Sequence, residues 1–137
     1  MIKQVEFKLS PKGRGFHYIT NEVLASLPKL PDVGVIMLFI KHTSAGLTIN
    51  ESADPSVLVD MNNIFNRLVK DDERYYIHTL EGSDEMSAHA KTTLVGTSVS
   101  IPITRGRLNL GTWQGIYLCE FRDVPSARKL VATIIGD

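Results

Sequence analysis

The sequence predicts an α+β fold, mostly antiparallel β-sheet or sandwich with about three helices, in a single domain over residues 1–137. Three observations carry that expectation. Apolar residues alternate with polar ones in several short stretches, the longest apolar run is β-branched and too brief for a helix, and three- and four-residue spacing is confined to a few capped segments. With 43% hydrophobic residues, the chain is long enough to bury one core and to hide roughly two-thirds of its unfolded surface.

Val5, Phe7 and Leu9 alternate with Gln4, Glu6 and Lys8, the pattern of a strand with one wet face, and Ser10-Pro11-Lys12-Gly13 ends it. After Phe16, Tyr18 and Ile19, Thr20 is placed to cap a short helix bearing Val23, Leu24 and Leu27, stopped by Pro28 and Pro31. Residues Val33 to Ile40 are apolar at nearly every position, so they read as a central strand covered on both faces. Asp54-Pro55 is a strong helix start, followed by Leu58, Met61, Ile64, Phe65 and Leu68 on one face. Tyr75 to His78 reads as a short strand, and Glu81 to Glu85 as a polar loop. Ser87 then caps a short helix through Leu94, closed by Gly96. Val99, Ile101 and Ile103 alternate again, and Arg105-Gly106-Arg107 makes a turn. Leu108 to Phe121 continues the sheet, and Lys129 to Ile135 is a last strand.

Formal charge is zero, 15 Lys plus Arg against 15 Asp plus Glu, so no basic excess exists to release counterions from a nucleic-acid backbone. Nucleic acid is not expected as a partner. The single cysteine, Cys119, has no disulfide or CxxC partner, which suits a reducing, cytoplasmic setting. The N-terminus lacks a signal-peptide core and no apolar run is long enough to span a bilayer, so no membrane association is expected.

Chemistry concentrates in a polar segment, His42 to Asp54, between a buried strand and an amphipathic helix. It contains His42, Ser44, Asn50, Glu51 and Asp54. His78, after a strand, and His89, in the first turn of a helix, are placed to project toward a common cleft with His42. Three histidines leaving one open position form a catalytic metal pattern, although their spacing matches no local metal motif. His17 is read as structural. Glu51, Asp54 and Glu120 are the acid or base candidates. Asp54 doubles as a helix cap, and Glu120, interrupting an apolar strand, would need a metal, a cation or a shifted pKa if buried. Lys91, Thr92 and Arg122, with Arg128, are candidate contacts to an anionic substrate. Trp113 between Gly111 and Gly115 marks a structural corner or a subunit contact.

The ordered segments HTSAGLTINESADP, EGSDEMSAHAKTTLVG and IPITRGRLNLGTWQGIYLCEF resemble the YjbQ-like family over nearly the whole chain. That resemblance implies an α+β sandwich, a homotrimer, and a metal cluster at His42, His78 and His89, with Glu51, Asp54, Gln114 and Glu120 on the family's motifs. It also implies secondary thiamine-phosphate synthase activity, joining an aminopyrimidine diphosphate to a thiazole phosphate. A site of three imidazoles suits zinc better than magnesium, which prefers oxygen ligands. Two other expectations therefore stand beside the synthase. One is a metal-dependent hydrolase or other phosphate-chemistry enzyme on a small, phosphorylated substrate. The other is a trimeric, non-enzymatic binder of a small anion or metabolite.

Overall fold

The computed structural model describes residues 1–137 as an α+β fold of two antiparallel sheets and three helices. In order these are β1 (Ile2–Leu9), β2 (Gly15–Tyr18), α1 (Thr20–Ser26), β3 (Val33–Ile40), β4 (Ala45–Glu51), α2 (Ser56–Leu68), α3 (Glu85–Val95), β5 (Ser98–Thr104), β6 (Arg107–Leu108), β7 (Gln114–Glu120) and β8 (Arg128–Gly136). One sheet runs β1-β8-β3-β5-β6 and the other β2-β7-β4. No helix is long and apolar enough to cross a membrane.

The period-2 strands explain the layering. Val5, Phe7 and Leu9 of β1, Ile36, Leu38 and Ile40 of β3, Ile101 and Ile103 of β5, and Leu130, Ala132 and Ile134 of β8 turn the same way. They meet Leu47, Ile116 and Leu118 of the smaller sheet in the main core. Burying each large aliphatic chain contributes on the order of 2 kcal/mol. The other face of the smaller sheet offers Phe16, Tyr117, Cys119 and Phe121 to Leu58, Met61 and Phe65 of α2 and Ala88 of α3. Edge-to-face contacts of Phe16 with Phe65, Tyr117 and Phe121 order this second layer. The result is sheet on sheet on helices, with Cys119 sealed between layers and its thiol pushed up by burial.

Several expectations need correction. β3 is not covered on both faces, because it lies in the outer sheet and leaves Val33, Val35, Met37 and Phe39 exposed. The doubly covered strand is β7, centre of the middle layer, buried from Gly115 to Glu120. Leu108 to Phe121 is not one strand: it is divided into β6 and β7 by the turn around Gly111. Residues Tyr75 to His78 form loop rather than strand. α3 begins at Glu85, with Asp84 in the cap position, and the Ser87 hydroxyl is spent on Asp71 instead of a cap. Nor does Thr20 cap α1; its hydroxyl accepts the Ile116 amide at 2.9 Å. The predicted turn at Arg105-Gly106 is present, with φ of 53° and 73°, as a two-residue hairpin between β5 and β6 requires.

Candidate metal centre

Two features bring α3 against the start of β4. A Cβ on Gly46 would lie 2.7 Å from the Gly96 carbonyl, so only glycine lets strand and helix end approach this closely. The Leu47 amide then donates to the Gly96 carbonyl. This seats His89 beside Thr43, whose carbonyl accepts the His89 Nδ1–H at 2.8 Å. With its proton committed to Nδ1, the ring directs Nε2 along the helix toward Glu85, one turn earlier.

Nε2 of His89 lies 3.3 Å from Glu85 Oε1, and Nε2 of His78 lies 3.1 Å from the same oxygen. His78 reaches this point from the long loop between α2 and α3, and its ring centre is 5.3 Å from that of His89. One donor atom from each of His78, Glu85 and His89 falls within 4.8 Å of the others. Glu85 is 5% exposed, and its Oε2 is buried without a hydrogen-bond partner. Burial alone would raise the Glu85 carboxyl, but His78 and then His89 outweigh it and hold it below its ordinary value. An ionised oxygen facing an imidazole lone pair is repulsive unless a proton or a cation lies between them. The donor set of two imidazoles and a carboxylate, with one oxygen still unsatisfied, fits a divalent transition metal.

His42 does not belong to this group. Its Nε2 accepts the Lys129 amide at 2.8 Å. Burial, then the field of Arg128, lower its pKa and favour the neutral ring. Instead it shares with His89 the wall of an open pocket of about 500 Å³, completed by Thr43, Thr92, Thr93 and Thr97. Thr92 is nearly buried there, and its hydroxyl has no partner. On the other side of the centre a groove of about 530 Å³, lined by Leu68, Tyr76, Ile77 and Met86 among others, opens beside His78.

The remaining candidates separate. Glu120 is fully buried and gripped by Arg128, whose Nε donates at 2.6 Å and whose Nη2 donates to the other oxygen; the Arg122 amide adds a third bond. A carboxylate so saturated is built to hold structure rather than to move protons. Arg128 Nη2 also donates to the Ser44 carbonyl and hydroxyl. Arg122 is anchored by Asp84 and by the Glu81 carbonyl. Lys91 points to the opposite side of α3, fully buried, donating to Asn66 at 2.7 Å and lying over the Phe121 ring. It is out of a substrate's reach, and burial, then Arg14, lower its pKa. Asn50, Glu51, Asp54 and Gln114 sit at the far end of β4, roughly 20 Å from its start for seven extended residues. There the Glu51 carbonyl accepts from Tyr18 and Tyr117, Asp54 Oδ1 accepts the Ser56 amide, and Gln114 accepts the Gly111 amide.

The residue that sequence reasoning missed is Glu85. Its signal was the four-residue step to His89, hidden by starting the helix at Ser87.

The model of the family described as UPF0047 protein YjbQ-like matches residues 5–137. The chain belongs to that family. It is 47% identical over 139 residues to UPF0047 protein YjbQ of Salmonella typhimurium and 43% identical over 139 residues to the protein of that name in Escherichia coli O157:H7. Each alignment covers 100% of both chains. A crystal structure of a conserved hypothetical protein from Thermus thermophilus superposes with a TM-score of 0.81 at 36% identity, covering 93% of this chain and 97% of that one. A second family structure, from Clostridium acetobutylicum, gives 0.80 at 38% identity, covering 96% of this chain and 99% of that one. The family is one of uncharacterised function, and its fold is the one described above.

Proposed function

We propose that this family member is a metal-dependent enzyme, with a zinc-class divalent cation held by His78, Glu85 and His89 at the edge of the threonine-lined pocket. One observation carries the reading: a buried carboxylate with one oxygen orphaned and the other facing two imidazoles, one of them oriented by the Thr43 carbonyl. A cation there would act as a Lewis acid and activate water, the chemistry of two-histidine, one-glutamate hydrolase sites. The protein's own contribution is orientation. Thr43 fixes the His89 tautomer, and His42 offers a neutral imidazole across the pocket that a small-molecule ligand would enter. Hydrolytic or related phosphate chemistry is therefore preferred over the thiamine-phosphate condensation. That second reading rests on family resemblance and calls for oxygen-rich magnesium ligation. A non-enzymatic metabolite binder would use the same pocket without turnover.

Self-association as a homotrimer is part of the proposal. Its support is the outer face of the larger sheet, where Ile2, Val33, Val35, Met37, Phe39 and Ile135 are exposed together, and Trp113 is 64% exposed on the turn before β7. A cytoplasmic site of action agrees with the lone buried cysteine. The deciding experiment is zinc and magnesium titration of chelator-treated protein, with light scattering for the assembly. Zinc should bind in preference to magnesium and lose affinity by about 100-fold or more in Glu85→Gln and His89→Ala. Equal zinc affinity in wild type and Glu85→Gln would refute the assignment.

A further inference from the structure

A second pocket adjoins the metal centre through two pairs of neighbouring residues. Thr43 orients His89 while Ser44 engages Arg128; Asp84 anchors Arg122 while Glu85 faces the histidines. Between the two arginines lies a pocket of about 230 Å³ lined by Ser44, Arg122, Val124, Ser126 and Arg128. It is smaller than the cavities that enclose whole ligands and fits a single group. No carboxylate lines it.

The arginines are held from behind. Arg128, 4% exposed, uses Nε and Nη2 on Glu120 and Ser44, and Arg122 uses Nε and Nη2 on Asp84 and the Glu81 carbonyl. Nη1 of each guanidinium makes no hydrogen bond within the protein, and neither atom is sealed from solvent. The paired carboxylates thus lock both planar groups and leave one donor edge of each available. We infer that this pocket is the phosphoryl subsite for the substrate of the neighbouring metal centre, an inference that rests on the metal-enzyme reading above. Two guanidinium edges from different segments, with the hydroxyls of Ser44 and Ser126, offer donors around a tetrahedral oxyanion. A carboxylate needs only one planar fork.

The test uses the full chain after chelator treatment, titrated with inorganic phosphate against matched chloride and followed by calorimetry and phosphorus NMR linewidth. Saturable binding is expected. Arg122→Gln, which removes one donor edge, and Ser126→Asp, which places a negative charge on an exposed loop at the pocket, should each weaken it by about tenfold or more. Glu85→Gln, which disables the metal centre, should leave phosphate affinity within about twofold. Absence of saturable binding, or indifference to both pocket substitutions, overturns the subsite. Equal loss in Glu85→Gln moves the phosphate to the metal ligands and also overturns it, as does acetate competing as well as phosphate. Zinc bound by the wild-type chain and lost in Glu85→Gln, alongside a failed phosphate titration of that same wild-type chain, would sink the subsite alone. The reverse pattern would sink the metal reading alone.

Discussion

Two buried glutamates, Glu120 at the end of β7 and Glu85 at the start of α3, show how differently the same chemical group is used. Glu120 has a cation across both oxygens and a backbone amide besides. Glu85 has no arginine or lysine partner, two imidazoles on one oxygen, and nothing on the other. Burial of a charge is costly unless it is paired and hydrogen-bonded, so Glu120 is locally complete and Glu85 is not. Incompleteness, rather than burial, distinguishes a ligand site from a structural ion pair. α3 repeats the lesson on its two sides. Ser87 and Lys91 are satisfied by Asp71 and Asn66, whereas Glu85 and His89 face each other with an unmet acceptor.

The comparison breaks most visibly at Arg128. Arg128→Met should leave Glu120 charged and unpaired and cost about 3–5 kcal/mol in urea unfolding, with part recovered when Glu120→Gln is added. A loss near zero would mean that Glu120 is no better satisfied than Glu85. Next in size is the contrasting signature of Glu85→Gln. Zinc affinity should fall by about 100-fold, while the Tm of the metal-free protein shifts by no more than about 3 °C, since no saturated pair is broken.

Asp71→Asn probes the satisfied side of α3 and should cost about 1–2 kcal/mol at neutral pH. Burial would raise the Asp71 carboxyl, but Arg14 and Ser87 reverse that and hold it below its ordinary value. Its stabilisation is therefore complete above an aspartate's usual pKa of about 3.9 and is lost as pH falls through the depressed folded value. The gap between wild type and Asp71→Asn should accordingly close in acid; a gap that widens there contradicts the pairing. The smallest effect is expected at Asp54→Ala, which removes the acceptor for the Ser56 amide and should lower Tm by about 3 °C. Zinc affinity should be unchanged in that variant, since Asp54 lies at the far end of β4; a measurable drop would place it in the site after all.

Much of the fold was legible because alternation reports which face of a strand is wet. β1 and β5 follow their patterns, and the helix after Asp54-Pro55 packs Leu58, Met61 and Phe65 as its spacing predicts, while Ile64 and Leu68 of the same predicted face stay exposed. The apolar runs of β3 and β7 could not be ranked by the same means. Both are apolar over most of their length, yet only β7 has a helix layer on its second face; β3 turns four apolar side chains outward. Sequence carries hydrophobicity, not the number of layers placed over it.

The candidate site divides along the same line. His42, His78 and His89 were grouped from residue type as a candidate metal pattern, and the family resemblance strengthened that grouping. Residue type also marked Arg122 and Arg128 as anion contacts, and demanded a partner for a buried Glu120. Those conclusions follow from what imidazole, guanidinium and carboxylate groups require in any protein. Which histidines meet was settled only in three dimensions, where the Lys129 amide occupies His42 and Thr43 turns His89 toward Glu85. The choice of Glu85 over Glu120 likewise depends on where the unpaired cation falls. Arg128 lies eight residues from Glu120 in sequence and against it in space, and nothing equivalent reaches Glu85. Local chemistry is written in the residues, whereas pairing across segments is decided by packing.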